Sequence, residues 1–144
     1  MPNNLQPYHK MKLQLSQWLP LERRTRIRNM ALFLTGLYLS GKPHLSKIVP
    51  TWPLWGKLPS LTNRLWRFLN HPKLEAGSWY APLAGEIVKR LPTGAITLVI
   101  DSTKVGFDHR WLSIGVTFKK RTLPLVWSVH RGSKGQTKVE EQLA

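Results

Sequence analysis

The spacing of hydrophobic residues changes at one point of the chain. Upstream of Pro92-Thr93-Gly94 they recur at three- and four-residue steps, which is the period of an amphipathic helix. Downstream they alternate or form short continuous runs, which is typical of strands. The change predicts an α+β chain with a helical region over residues 1–93 and a strand-rich region over residues 94–144.

Four helices are predicted in the first region. Gly41 is expected to end the first of them, and Trp52 and Trp55 are expected to hold the loop after the second, Pro50–Pro59, against the core. Ser60 is the expected N-cap of the third helix, and Pro82 is expected in the first turn of the fourth. The predicted helices are Arg23–Leu39, His44–Val49, Leu61–Asn70 and Ser78–Leu91.

Three strands are predicted in the second region, followed by the start of a helix. The first is a nearly continuous apolar run, which favours an innermost strand buried on both faces. The second alternates, and Pro124 in the third favours a sheet edge because proline cannot donate to a ladder. Thr137 and Glu140 have the spacing of a capping box. The predicted strands are Ile96–Ile100, Trp111–Phe118 and Leu123–Val129.

Charge points to a polyanionic partner. The chain has 22 Lys and Arg against seven Asp and Glu, a net charge of +15, and residues 1–94 carry +11 of it. Basic residues interleaved with a helical core pattern favour nucleic acid over membrane. The longest apolar stretch, Met30–Leu39, is too short to span a bilayer, and no segment resembles a secretory signal. There is no cysteine, so no disulfide can form. A cytoplasmic, nucleoid-associated protein is expected.

The helical region has the order of a helix-turn-helix DNA reader. Asn63, Arg64 and Arg67 are expected to point away from the buried stripe of their helix, where arginine and asparagine can meet base edges. The alternatives are a solvated charged face and a small helical bundle that recognises no specific sequence. The candidate DNA contacts are Arg23, Arg24, Arg26, Arg28, Lys47, Asn63, Arg64, Arg67, Lys104 and Arg121.

Asp101 is the candidate catalytic and metal-binding residue. It follows the apolar strand directly, and the carboxyl end of a central strand is where a sheet-based enzyme places an oxygen ligand for magnesium. The alternative is a turn residue acting with Ser102 and Thr103. Asp108 is interpreted as a surface turn residue, and the five histidines lack ligand spacing.

Several segments together resemble the start of the catalytic domain in bacterial insertion-sequence transposases of the DDE type. The helical segments around residues 31–37, 44–48 and 64–69 are similar to the region that precedes that domain, so the resemblance covers roughly residues 23–144. The catalytic segments are Leu98-Val99-Ile100-Asp101-Ser102-Thr103, Lys120-Arg121-Thr122-Leu123-Pro124-Leu125-Val126-Trp127 and Gly132-Ser133-Lys134-Gly135-Gln136.

The resemblance implies a ribonuclease-H-like fold in which Asp101 is the first of three catalytic acids. Such enzymes hold two divalent ions, usually Mg²⁺, for in-line attack on a phosphodiester. The other two acids come from later segments that this sequence does not contain, so Asp108, Glu140 and Glu141 match neither. The chain is therefore expected to comprise the first three strands and the start of the first helix, and to be inactive alone.

Three alternative functions are expected for this chain. The first is a transposase fragment that binds double-stranded DNA at element ends, with a homodimer or a hetero-oligomer with full-length transposase as its assembly. The second is a truncated DNA-binding inhibitor or regulator of transposition. The third is a basic nucleic-acid protein whose strands merely mimic the motif, which Asp101 and the later segments disfavour.

Overall fold

The computed structural model describes residues 4–132, which form helices followed by one antiparallel sheet. The mixed α+β class is therefore as predicted. The described chain divides into two compact units, one up to Trp79 and one from Tyr80. The helices are α1 Leu5–Trp18, α2 Arg24–Ser40, α3 Leu45–Ile48, α4 Leu58–Leu69 and α5 Ala76–Lys89, and the strands are β1 Leu98–Val105, β2 His109–Phe118 and β3 Arg121–Arg131.

Helix α2 is the centre of the first unit. Ile27, Ala31 and Leu32 are buried in its core, because apolar residues at three- and four-residue steps line one face of a helix. Gly41 ends the helix in the left-handed region at φ 62°, and its N–H donates to the Leu37 carbonyl at 2.9 Å. The predicted helix is confirmed to within one residue at each end.

The packing of α2 on the following short helix requires a small residue. A Cβ at Gly36 would overlap the Ile48 side chain of α3. Val49–Thr51 continues α3 as a single 3-10 turn, and Trp52 is buried beyond it. Trp55, expected to hold the loop to the core, is instead fully exposed, so that prediction was wrong.

Helix α4 begins three residues before its predicted start. Lys57 is the N-cap, and Pro59 lies in the first turn, where its missing N–H has no helical partner to lose. Ser60 is therefore inside the helix rather than its N-cap. Leu65 and Phe68 form the buried stripe of the helix.

Helix α1 was not among the predicted elements. Tyr8 and Leu15 are buried and Met11 packs partly against them, which is the helical spacing of a core-facing stripe. Helix α5 begins at Ala76, so Pro82 is its seventh residue rather than a first-turn residue.

The sheet has the order β1-β2-β3, with β2 between its two neighbours and every pair antiparallel. The prediction that the first strand is innermost and buried on both faces was therefore wrong. Leu98 and Ile100 of β1 are 59% and 68% exposed. A continuous apolar run does not distinguish a buried strand from an uncovered one, because only neighbouring elements decide that.

Strand β1 continues through Asp101 to Val105, since Ser102 and Thr103 pair with Leu112 and Trp111 of β2. The chain turns at Gly106, which has φ 66°.

Strand β3 lies at a sheet edge as predicted. Its Pro124 pairs with Gly115 beside a register shift at which Leu125 of β3 has no partner in β2, and bulges accommodate residues that cannot join a ladder. Lys119 and Lys120 form the β2–β3 turn, both in the left-handed region, which is the conformation of a two-residue hairpin turn. The predicted helix at Thr137 lies outside the described residues.

Candidate functional site

Asp101 lies in the middle of β1 rather than at a strand end. It pairs with Ser113 of β2, its side chain is exposed, and the Thr103 hydroxyl donates to its Oδ2 at 3.1 Å. Thr103 is two residues away and shares the same face of the strand. The predicted position at the carboxyl end of a strand, next to a Ser102-Thr103 loop, was wrong because those residues extend the ladder.

The surroundings of Asp101 do not by themselves fit a magnesium site. Two-metal chemistry needs several carboxylates, and the part of the chain between residues 4 and 132 contains no group of three or more His, Cys, Asp or Glu able to hold a metal. Asp108 lies in the β1–β2 turn, as predicted. Asp101 could contribute one ligand, and the rest would have to come from elsewhere.

The predicted DNA contacts of the first unit differ in their exposure. Arg26 is partly buried and its Nη1 donates to Glu22 Oε1 at 2.9 Å, and the same carboxylate oxygen accepts the Arg23 backbone N–H at 2.8 Å. Arg64 is also partly buried. The exposed candidates are Arg23, Arg24, Arg28, Lys47, Asn63 and Arg67.

Arg64 is tied to helix α2 instead of pointing away from the core. Its Nε and Nη2 donate to Asn29 Oδ1 at 3.1 and 2.7 Å. Burial, and secondarily the positive charge of Arg28, lower the pKa of Arg64. The prediction for its direction was wrong, because a partner 35 residues away in sequence holds the guanidinium.

A cavity of about 360 Å³ lies between α2 and α4, and we call it the arginine pocket. Its lining includes four arginines, one at the N-cap of α2 and three within the two helices, and no acidic side chain. Phe68 and Leu74 form its apolar part. The polar lining consists of Arg23, Thr25, Arg26, Asn29, Arg64, Arg67 and His71.

The outer surface of α4 carries a flatter group of side chains, which shares Arg67 with the arginine pocket. Asn63 and Arg67 are exposed, and a four-residue spacing puts them on one face of the helix. Trp66 is 56% exposed on the same helix. These groups combine hydrogen-bond donors with an aromatic surface.

Sequence reasoning missed Asn29, His71 and Trp66. Asn29 is a polar residue between two apolar positions of an amphipathic helix, which is the one signal for it. His71 follows the end of α4, where its Nδ1 accepts the Lys73 backbone N–H at 3.1 Å. A neutral imidazole in this arrangement carries its proton on Nε2.

The two candidates of the second unit are surface cations. Lys104 pairs with Arg110 in the ladder and, three residues from Asp101, lies on the opposite face of β1. Arg121 is the first residue of β3, directly after the Lys119-Lys120 turn. Neither residue belongs to the arginine pocket.

Comparisons with protein-family models, with curated proteins and with solved structures gave no match to this chain. Within residues 4–132, every helix is too short or too polar to cross a membrane.

Proposed function

We propose that this chain is the front part of a DDE-type DNA transposase and binds the ends of its element through the helical unit. The observation that carries the proposal is the grouping of four arginines around one cavity, with Asn63 and Arg67 on the outer surface of α4. Duplex DNA offers phosphates to such cations and base edges to asparagine and arginine.

The order α2, α3, α4 is that of a helix-turn-helix reader, and α4 takes the place of the helix that enters the major groove. Asn63 and Arg67 then meet base edges. The exposed cations Arg24, Arg28 and Lys47 contact phosphates, which position the protein without reading sequence. Lys104 and Arg121 contact the flanking duplex.

In the second unit, β1 to β3 are proposed as the first strands of a ribonuclease-H-like catalytic domain. Asp101 is proposed as the first of three acids that hold Mg²⁺ in the complete enzyme. Among the described residues no strand pairs with the outer edge of β1, and this supports the proposal because the resemblance implies a further strand there. This chain alone is expected neither to cut nor to join DNA, and to act with a second copy or with full-length transposase.

A second candidate function is a DNA-binding inhibitor that occupies element ends without cutting them. The observation that favours it is the exposed, mid-strand Asp101, which has no clustered acidic or histidine partners among the described residues. Binding would then be the whole activity of the chain. The DNA contacts would be the same in both candidates.

The test is duplex DNA binding, measured by fluorescence anisotropy as salt rises from about 50 to 200 mM. A protein that makes six to ten phosphate contacts loses about 10³- to 10⁵-fold in affinity over this range. Removing divalent ions with EDTA should leave binding unchanged, because arginines and not metal ions make the contacts. Affinity that ignores salt, or no affinity, would contradict the proposal.

A cleavage assay with Mg²⁺ and the sequence that follows codon 144 separate the two candidates. The transposase is favoured if the downstream frame encodes another aspartate and a glutamate, and if adding the encoded segment to this chain confers cleavage. Unrelated downstream sequence together with inhibition of strand transfer favours the inhibitor.

A further inference from the structure

The arginine pocket carries more positive charge than its surroundings neutralise. Of its four arginines, Arg26 is paired with Glu22. The other acid among the described residues of the first unit is Glu75, whose carboxylate accepts the backbone N–H groups of Gly77 and Ser78. Positive groups that line one cavity repel one another, and an anion bound between them relieves that repulsion.

The pocket also holds one donor group in a fixed position. Arg64 uses two of its five N–H groups on Asn29, so the remaining ones are available to a ligand while the guanidinium stays in place. A side chain already fixed loses less conformational freedom on binding. Asn29 therefore positions Arg64 without neutralising its charge. An aspartate at the same place would neutralise that charge.

The nature of the donors favours a phosphate group. Arginine forks match the several oxygens of phosphate, and the lining brings arginines from two helices to one cavity. His71 adds a neutral N–H donor when its Nδ1 accepts from Lys73. The cavity, about 360 Å³, is larger than a single phosphate and leaves room for the groups attached to a diester.

We propose that the arginine pocket binds one phosphate group, with Arg64 as its fixed donor and Asn29 as the residue that positions Arg64. This inference rests on the proposed function for the source of that group, which is a backbone phosphodiester of duplex DNA. Free phosphate is the other source with the same chemistry. The DNA contact made here fixes the register of α4 on the duplex and does not read sequence.

The test compares Asn29→Asp with Gln17→Glu, two amide-to-acid changes that alter the net charge equally. Gln17 lies in α1, exposed and outside the pocket. Titration with inorganic phosphate is followed by the NMR signal of the Arg64 Nε–H. Saturable binding is expected in the parent and in Gln17→Glu. In Asn29→Asp the Kd should rise about tenfold or more, which corresponds to about 1.4 kcal/mol.

Folding is checked separately from binding. Asn29→Asp should melt at or above the temperature of the parent, because its carboxylate forms an ion pair with Arg64. Should this variant fail to fold, Arg64→Lys keeps the positive charge, loses the fork and is expected to weaken phosphate binding likewise. Equal phosphate affinity in the parent and the folded variants would overturn the proposal that the pocket binds phosphate. So would the lack of saturable binding in the parent.

Duplex DNA separates the two sources of phosphate. Asn29→Asp should reduce the salt slope of DNA binding by about one relative to Gln17→Glu. If Asn29→Asp loses phosphate binding but binds DNA as well as Gln17→Glu does, the nucleic acid is overturned as the source of the bound phosphate. That result supports free phosphate. A parent that binds phosphate but no DNA overturns the proposed function and leaves the pocket supported.

Discussion

Arg64 on α4 donates two hydrogen bonds to a single oxygen of Asn29 on α2, and this pair joins two helices whose residues are 35 positions apart. We expect Arg64→Ala to lower the free energy of unfolding by about 1.5–3 kcal/mol, because hydrogen bonds from a charged group are the stronger ones. Arg67→Ala, which removes an exposed arginine of the same helix, should change it by less than about 0.5 kcal/mol. Urea denaturation measures both, and equal losses would mean that the pair does not stabilise the unit.

Base reading is expected from the exposed side of α4. Replacing both Asn63 and Arg67 with alanine should cost about 1–3 kcal/mol of preference for each base pair they read. Arg24→Gln should weaken matched and random duplexes by the same factor, because a phosphate contact carries no sequence information. Competition gel shifts with element-end and random DNA measure the preference. An equal loss on both duplexes for the double variant would rule out base reading by α4.

The contact between α2 and α3 predicts that Gly36 tolerates no side chain. Gly36→Ala should destabilise the first unit by about 1–3 kcal/mol, since Ile48 would have to shift in a packed core. Gly85→Ala is the matched control, because a Cβ on that helical glycine would meet no atom within 4 Å. It should stabilise α5 by about 0.5–1 kcal/mol. Thermal melts that change in the same direction for both variants would contradict the packing argument.

The stability of the sheet unit is expected to fall above pH 10 as Tyr80 ionises. Its hydroxyl donates to the Pro124 carbonyl at 2.6 Å and its ring packs on Trp127, while burial raises the pKa of Tyr80. Because the folded pKa lies above the unfolded one, its contribution is complete below about pH 10 and is lost as pH rises through the folded pKa.

Tyr80→Phe should therefore destabilise the sheet unit by about 1 kcal/mol at pH 8, and by progressively less above pH 10. Tyr38→Phe, at a tyrosine that is 73% exposed, should have little effect at either pH. Denaturation curves at pH 8 and above pH 10 provide the comparison. A Tyr80→Phe difference that does not shrink with pH would exclude this hydrogen bond as its origin.

Sequence reasoning identified most helices from helical apolar spacing together with a bounding glycine or proline. Helix α2 met both conditions, and Gly41 ended it as expected. Helix α1 has the spacing Tyr8, Met11 and Leu15 and is followed by Pro20, yet it was missed. Local periodicity thus located most of the helical unit, while its exact starts depended on where proline could be accommodated.

The candidate site was less predictable, because it depends on contacts between distant segments. The cations of α2 and α4 could be named from sequence, but their grouping in one cavity could not. The position of Asp101 was wrong because residues after it found ladder partners in β2, which no local pattern encodes. Asn29 was overlooked since its partner, Arg64, is remote in sequence.

The two borders of the described sheet are built differently. On β3, Pro124 and the adjacent register shift interrupt the row of backbone donors, which discourages an extended peptide from attaching there. On β1, eight consecutive residues without proline present an unbroken row. A strand added to the described sheet is therefore expected at β1, where it would also shelter the Leu98 and Ile100 side chains from water.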